Sequence, residues 1–237
     1  MYRRVMAKKQ QHPNMKVLLS IGGWTHGTGP FSKAAKSDSS RSTFAYNSLA
    51  FIQRYGFDGI DIDWEYPGYA SHPGKQCEGP LTTTTCKEDI VNYPIFLEKL
   101  KQVYHSAGLL VTAAMGAYPG RVAESYPEVK RICDALDLTH LMTYDFHGGW
   151  EDVMGHHAAF DSDGRHPNDP NSELTVKASI DYWIDNGCTA SKMTVGLGAY
   201  GRVFKAINGG KAERLQPGTA KGVKGPFTKE DGEPSLV

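Results

Sequence analysis

The sequence lacks several features that would each indicate a particular class of protein. Its 237 residues hold 26 basic and 26 acidic side chains, so there is no basic excess to neutralise the phosphates of a nucleic acid. No apolar run approaches the roughly 18 residues that a membrane span needs. No glycine-rich phosphate loop opens a helix, and no His/Cys spacing is typical of a zinc site. We therefore predict no nucleic-acid partner, no membrane segment, no metal and no cofactor.

Cysteine is also scarce, and the four that are present bear on the compartment. Cys77 and Cys86 bracket a polar segment without periodicity, where we predict a loop-closing disulfide, with two free thiols as the alternative. Cys133 and Cys188 lie beside helical patterns and are predicted to be buried small hydrophobic residues. Residues 1–9 are basic but no apolar run follows them, so they do not read as a signal peptide. The predicted disulfide favours an extracellular location.

Apolar strand-like runs alternate with segments of helical period along the chain. The predicted strands are 15–21, 59–65, 109–115, 138–144 and 193–198. The predicted helices are 43–55, 88–105, 127–135 and 176–186. This alternation predicts a parallel sheet, either an open doubly wound sheet or a (β/α)8 barrel. We favour the barrel because polar and aromatic residues follow several strands, where barrel active sites are built.

Three acids stand two residues apart inside an apolar run: Asp61, Asp63 and Glu65. In a strand, side chains with this period share one face, so all three carboxyls are predicted to point the same way. Burying three carboxyls is unfavourable unless they are paired, protonated or used in chemistry, so we predict a catalytic cluster. A structural acid cluster and a divalent-cation site are the alternatives. Asp58 has the opposite parity and is predicted to be structural, and Trp64 to be a core residue.

Four motifs together resemble the glycoside hydrolases of family eighteen, the chitinases. The acidic run Asp58-x-x-Asp61-x-Asp63-x-Glu65 is similar to the signature of that family. The motifs of its third, sixth and seventh strands resemble residues 20–24 (SIGGW), 142–148 (MTYDFHG) and 196–202 (GLGAYGR). The resemblance covers about residues 12–237 and implies a (β/α)8 TIM barrel.

The same resemblance implies an incomplete barrel. Strands three to seven have counterparts in residues 1–204, whereas strands one, two and eight do not. Residues 205–237 are rich in Gly, Lys, Pro and Thr, and we predict that they are either the start of an α+β insertion or a tail. Because an open five-stranded sheet exposes its edges, we expect these residues alone to be unstable or to aggregate. We expect the full-length protein to be a monomer.

Glycosidic bond cleavage needs an acid for the leaving oxygen, and Glu65, nearest the rim, is the best placed. Asp61 and Asp63 are like charges that would raise the pKa of Glu65 and share protons with it. The resemblance implies that the 2-acetamido oxygen of the substrate attacks in place of an enzyme carboxylate, with retention of configuration. Asp63 would orient that acetamido group. The implied substrate is a β-1,4-linked polymer of N-acetylglucosamine, such as chitin.

The resemblance also implies a set of substrate contacts. Tyr144 would donate to the acetamido oxygen, while Asp145 and Met142 would shape the pocket around that sugar. Sugar rings stack their C–H faces on aromatic side chains, and further contacts are assigned to Trp24, Tyr66 and Tyr200. Arg202 is predicted to contact the sugar or to hold a neighbouring carboxylate. The alternative function is a chitinase-like lectin that binds without cutting. Such lectins typically lose the terminal acid of the signature, so Glu65 favours the enzyme.

Overall fold

The computed structural model describes residues 1–69, 87–151, 153–162, 173–206 and 218–219. Helices and strands alternate along these residues, as the sequence predicts. The chain divides into two compact units. The first consists of residues 1–116, 120–140 and 186–194, and the second of residues 117–119, 141–185 and 195–237.

A five-stranded sheet follows the order of the chain. Its strands are β1 (Leu18–Gly22), β2 (Gly59–Asp63), β3 (Leu110–Gly116), β4 (Leu138–Met142) and β5 (Met193–Val195). The pairs β1–β2 and β2–β3 are parallel, which confirms the predicted parallel sheet. Each strand neighbours the next one in sequence, without the reversal of order that marks a doubly wound sheet. This is the order of successive strands in a (β/α)8 barrel.

The helices include several that the periodicity did not predict. The helices are α1 (Tyr2–Gln11), α2 (Gly29–Ala35), α3 (Asp38–Tyr55), α4 (Lys87–His105), α5 (Pro119–Ser125), α6 (Val129–Asp134) and α7 (Val176–Asp185). The predicted start of α3 at residue 43 is wrong, because Ser37 and Ser40 form a reciprocal capping box that starts the helix at Asp38. The periodicity did not predict the helices α1, α2 and α5. The described helices contain none that is long and apolar enough to cross a membrane.

The core of the first unit lies behind β2. Ile60, Ile62 and Trp64 are fully buried there, which confirms the core position predicted for Trp64. The Trp64 ring stacks on Phe31 of α2 at 5.4 Å and meets Tyr93 of α4 edge-on at 5.4 Å. Aromatic contacts with two helices therefore fix the carboxyl end of β2 from its apolar side.

Asp58 joins the starts of the first strands, in agreement with its predicted structural role. Its carboxylate accepts a 2.7 Å hydrogen bond from the Val17 amide and pairs with Lys9 at 2.8 Å. Its backbone amide donates to the Val17 carbonyl, and its carbonyl accepts from the Leu110 amide. Burial acts to raise the pKa of Asp58, but the hydrogen bonds from Lys9 and Val17 and the charges of Lys9 and Lys16 together lower it below its usual value.

Cys133 and Cys188 are buried, as predicted, but they form a disulfide in the first unit instead of being two separate small hydrophobic residues. The two residues are 55 positions apart in sequence, and only the fold brings their Cα atoms to 5.5 Å. Lys192 supports the same junction, because its ammonium donates to the carbonyls of Cys133 and Leu136 at 2.9 and 2.8 Å. The predicted pair Cys77 and Cys86 lies outside the described residues.

The last described residues form a small antiparallel pair, β6 (Lys205–Ala206) with β7 (Gly218–Thr219). They lie in the second unit. The predicted boundary at residue 204, and the choice between an insertion and a tail after it, stay predictions.

Candidate active site

Asp61 is held from both sides on the polar face of β2. Parallel pairing places Ser20 and Thr112 directly beside it. Ser20 Oγ donates to Asp61 Oδ2 at 2.9 Å, and Thr112 Oγ1 donates to Oδ1 at 2.7 Å. The carboxyl is thus fixed by short side chains that only a parallel register brings into contact.

His140 is a neighbour of Asp61 that the sequence analysis missed. Its Nε2 lies 3.9 Å from Asp61 Oδ1, and its Nδ1 is 2.6 Å from Thr194 Oγ1. A signal for it existed, because His140 stands two residues before Met142 on a predicted strand and so shares its face.

Asp63 has the perturbed carboxyl of the cluster. Among the described residues, its buried Oδ1 has no hydrogen-bond partner. Burial, and secondly the negative charge of Asp61, raise the pKa of Asp63 to about 6. The carboxyl of Asp63 therefore takes up a proton at a higher pH than an ordinary aspartate does.

Two glycines allow the backbone to approach Asp63. A Cβ on Gly22 would lie 2.0 Å from the Asp63 carbonyl oxygen, and Gly22 has φ 122°. The Gly23 amide donates to that carbonyl at 2.8 Å. The close contact between the ends of β1 and β2 therefore requires a glycine at position 22, whereas Gly23 is favoured by its φ of 95°.

Glu65 lies beyond the end of β2, so the predicted strand over residues 59–65 is two residues too long. The argument from strand alternation holds for Asp61 and Asp63 but does not extend to Glu65. Glu65 is half-buried, and its peptide bond to Tyr66 is cis. It is close enough to Tyr126 for its charge to contribute to the raised pKa of that phenol.

Two buried tyrosines lie near the acids, and the sequence analysis did not assign them to the site. Tyr93 and Tyr126 are fully buried. Burial raises the pKa of both phenols well above the usual range, and the charges of Asp61 and Asp63 add to the effect on Tyr93. Both phenols therefore stay neutral at every pH at which the carboxyls change their protonation state.

Two aromatic residues of this unit, Tyr66 and Trp24, were predicted to contact substrate, and they differ in their surroundings. The guanidinium of Arg121 lies 5.2 Å from the centre of the Tyr66 ring and 4.3 Å from that of Tyr69. Trp24 opens a short 3₁₀ turn directly after β1 and is 45% exposed. A large aromatic surface is therefore available to a ligand beside the carboxyl end of β1.

In the second unit, Asp145 and Arg202 form the central ion pair. Both Nε and Nη2 of Arg202 lie 2.8 Å from Asp145 Oδ1. Asp145 has φ 57°, a left-handed conformation that is uncommon for residues other than glycine but better tolerated by aspartate. The Nε2 of His157 contacts the carbonyl of Tyr200 at 2.9 Å.

Aromatic rings surround this ion pair. Burial, and secondly a hydrogen bond with Asp145, raise the pKa of Tyr200 well above its usual value. The Tyr144 and Tyr200 rings meet edge-on at 6.0 Å, and the Arg202 guanidinium lies 5.3 Å from the Trp150 ring. Glycines make room for Tyr144, because a Cβ at Gly196 would lie 2.7 Å from its Cε1.

The predicted site residues thus fall into two groups, one in each unit. The first unit holds Trp24, Asp61, Asp63, Glu65 and Tyr66, and the second holds Met142, Tyr144, Asp145, Tyr200 and Arg202. Met142 ends β4 and is half-buried. In the described part of the chain, no group of three His, Cys, Asp or Glu side chains has a geometry that could hold a metal ion.

Comparison with known proteins identifies relatives over almost the whole chain. The model of the glycosyl hydrolases family 18 matches residues 1–233. Probable chitinase 2 of Drosophila melanogaster is 35% identical over 231 residues, which are 98% of this chain and 43% of that protein. Chitotriosidase-1 of Mus musculus is 34% identical over 236 residues, 98% of this chain and 48% of that protein. The chain therefore spans less than half the length of either relative.

Solved structures agree in fold. The Group IV chitinase of Ostrinia furnacalis superposes with a TM-score of 0.86 at 31% identity, over 98% of this chain and 60% of that one. Human YKL-39, described as a pseudo-chitinase with retained chitooligosaccharide binding, superposes with a TM-score of 0.85 at 26% identity, over 98% of this chain and 60% of that one.

Proposed function

The chain belongs to glycosyl hydrolase family 18, and on that premise we propose that its full-length protein hydrolyses β-1,4-linked N-acetylglucosamine polymers such as chitin. The names of its relatives support this substrate, since two of them are chitinases of insects. The observation that carries the proposal is the Asp61–Asp63 pair, in which burial and the charge of Asp61 raise the pKa of Asp63 to about 6, two residues before a half-buried glutamate. A purely structural cluster does not need that property.

Glu65 is the general acid and then the general base of the proposed reaction. It protonates the leaving glycosidic oxygen while the 2-acetamido oxygen of the substrate attacks the anomeric carbon. The products of this step are a released sugar and a cyclic oxazolinium ion, with Glu65 ionised. Glu65 then takes a proton from water as that water opens the ring, which restores the acid and retains the configuration.

Asp63 orients the acetamido group in this scheme. Its buried Oδ1, which has no partner among the described residues, is available to accept the acetamido N–H. As positive charge develops on the oxazolinium ion, an ionised Asp63 stabilises it. Ser20 and Thr112 keep Asp61 fixed beneath.

The remaining proposed contacts bind sugar. Tyr144 donates to the acetamido oxygen, and Asp145, fixed by Arg202, lines the pocket with Met142. The aromatic contacts are Trp24, Tyr66 and Tyr200. No nucleic acid, metal or cofactor takes part in the proposed reaction. We propose that the full-length protein is a monomer and that it is secreted, and the Cys133–Cys188 disulfide supports secretion.

The test is hydrolysis of N-acetyl chitooligosaccharides by the full-length protein, with product anomers followed by NMR. We expect the β-anomer first, and Glu65→Gln should lower kcat by at least about 10²-fold while binding is preserved. Glu88→Gln changes an exposed carboxylate on α4 and is the matched control. An initial α-anomer, or normal cleavage by Glu65→Gln, would contradict the mechanism.

The second candidate is a lectin that binds chitin oligosaccharides without cutting them. The structural likeness to YKL-39, described as a pseudo-chitinase, is the observation that favours it. Calorimetric binding of the oligosaccharide by wild type without any product would establish the lectin. The presence of Glu65 at the end of the acidic run supports the enzyme instead.

A further inference from the structure

The residues that follow Glu65 form a tight turn. The Tyr69 amide donates to the Tyr66 carbonyl at 3.0 Å, which closes the turn. Pro67 takes its second position and Gly68, with φ 76°, its third, the combination typical of a type II turn. The turn begins next to Glu65, so any contact that holds the turn also holds the backbone that carries this acid.

Asp89 is a buried acid in the first turn of α4 that contacts this turn. It is 1% exposed. Ser32 Oγ donates to Asp89 Oδ1 at 2.7 Å, and the Gly68 backbone amide also donates to this carboxylate. The amide of the third residue of a type II turn has no acceptor inside the turn and needs one outside it. Asp89 supplies that acceptor.

The stability of the fold does not explain an acid at this position. Burial raises the pKa of Asp89 to about 6, even though the hydrogen bonds from Ser32 and Gly68 lower it. Within the described residues, its buried Oδ2 has no hydrogen-bond partner. A carboxyl that is disfavoured by burial and only half satisfied weakens the fold, so its use lies in what it holds.

The helix α2 holds the same turn at a second point. Thr28, just before α2, accepts a 2.5 Å hydrogen bond from the Trp64 indole, and its hydroxyl lies 3.5 Å from the Tyr66 carbonyl. The Ser32 amide donates to the Thr28 carbonyl at 2.9 Å, so both hydroxyls belong to one helical turn. One end of α2 therefore contacts the chain on both sides of Glu65.

We propose that Asp89 is a positioning residue for this site: together with Ser32 it holds the Gly68 amide and so fixes the turn that follows Glu65. The proposal rests on the proposed role of Glu65 as the acid. Asp89 touches neither substrate nor reacting atoms. It acts by keeping Glu65 within the narrow range of positions from which proton transfer is efficient.

Two measurements on full-length Asp89→Ala test the proposal. Hydrogen exchange by mass spectrometry should show amides of residues 66–69 exchanging at least about 10-fold faster than in wild type, with those of β3 unchanged. Kinetics on an N-acetyl chitooligosaccharide should show kcat lowered about 10- to 100-fold with KM within about threefold, because a misplacement of about 1 Å acts on the chemical step.

Three further variants provide a partial rescue, a control and a second test of the proposal. Asp89→Asn keeps one acceptor oxygen and should recover most of kcat, whereas Glu88→Gln, the exposed neighbour, should change neither measurement. Ser32→Ala removes one donor to Asp89 and provides the exchange test if Asp89→Ala does not fold. Unchanged exchange over residues 66–69 in the variants of both Asp89 and Ser32 would overturn the proposal. Faster exchange in a protein whose wild type is inactive would instead refute the proposed hydrolysis alone.

Discussion

Thr112 Oγ1 donates a 2.7 Å hydrogen bond to Asp61 Oδ1, and the two residues are register partners on β3 and β2. Ser20 donates to the other carboxylate oxygen from β1. Asp61 therefore has hydroxyl donors from two neighbouring strands. Hydrogen bonds to an ionised group contribute more than those between neutral groups.

Thr112→Val keeps the shape of this buried side chain and removes the donor. We expect the free energy of unfolding to fall by about 1.5–3 kcal/mol, since one oxygen of Asp61 loses its partner. Urea unfolding at neutral pH measures it, and Thr112→Ser, which keeps the hydroxyl, is the matched control. Because Thr112→Ser also removes a buried methyl group, the decisive outcome is a Val variant as stable as wild type, which would show that this hydrogen bond contributes nothing.

Asp63→Asn should stabilise the protein at high pH but not at low pH. The pKa of Asp63 is raised from 3.8 to about 6 on folding. Below 3.8 the carboxyl is protonated in both states, and above about 6 the folded state carries a disfavoured charge that asparagine removes. The gain in Tm should appear between those pH values and persist at pH above about 7. A gain that is largest in acid would contradict the raised pKa.

Removing the Cys133–Cys188 disulfide should destabilise the first unit. The chain-entropy model gives about 4 kcal/mol for a loop with the 55-residue separation of these cysteines. Urea unfolding of the double Cys→Ala variant should match that of reduced wild type, and a reductant should leave the variant unchanged. If wild type keeps its full stability after complete reduction, the disulfide does not stabilise this fold.

Arg202→Lys should impair the proposed hydrolysis although it keeps the charge. A lysine ammonium is a point charge and cannot place two nitrogens on Asp145 as the guanidinium does. We expect kcat/KM to fall at least about 10-fold, because Asp145 loses its fixed orientation. Arg131→Lys changes a surface arginine that also binds a carboxylate with two nitrogens, that of Glu98, and should leave the kinetics unchanged.

The sequence predicted the parts of this molecule that depend on short-range periodicity. The five strands lie where apolar runs predicted them, and Asp61 and Asp63 share a face because strand side chains alternate. The alternation of strand side chains does not apply to Glu65, because β2 ends at Asp63. A period of two cannot show where a strand stops.

The sequence did not predict the long-range contacts, for a different reason. The disulfide joins residues 55 apart, and His140 meets Asp61 only after the strands pair. The helix α2 has only seven residues and begins with Gly-Pro, too short for a helical period to show. The contacts of α2 with the turn after Glu65 could therefore not be predicted from the sequence.

The buried phenols of Tyr93 and Tyr126 give the protein an internal optical reporter. Because burial raises the pKa of both well above the usual range, they should stay un-ionised in mild alkali while exposed tyrosines, among the 12 in the chain, become phenolate. Their ultraviolet signal should then appear only when the fold around the acids opens. Alkaline titration would thus register the integrity of this region without any label or substrate.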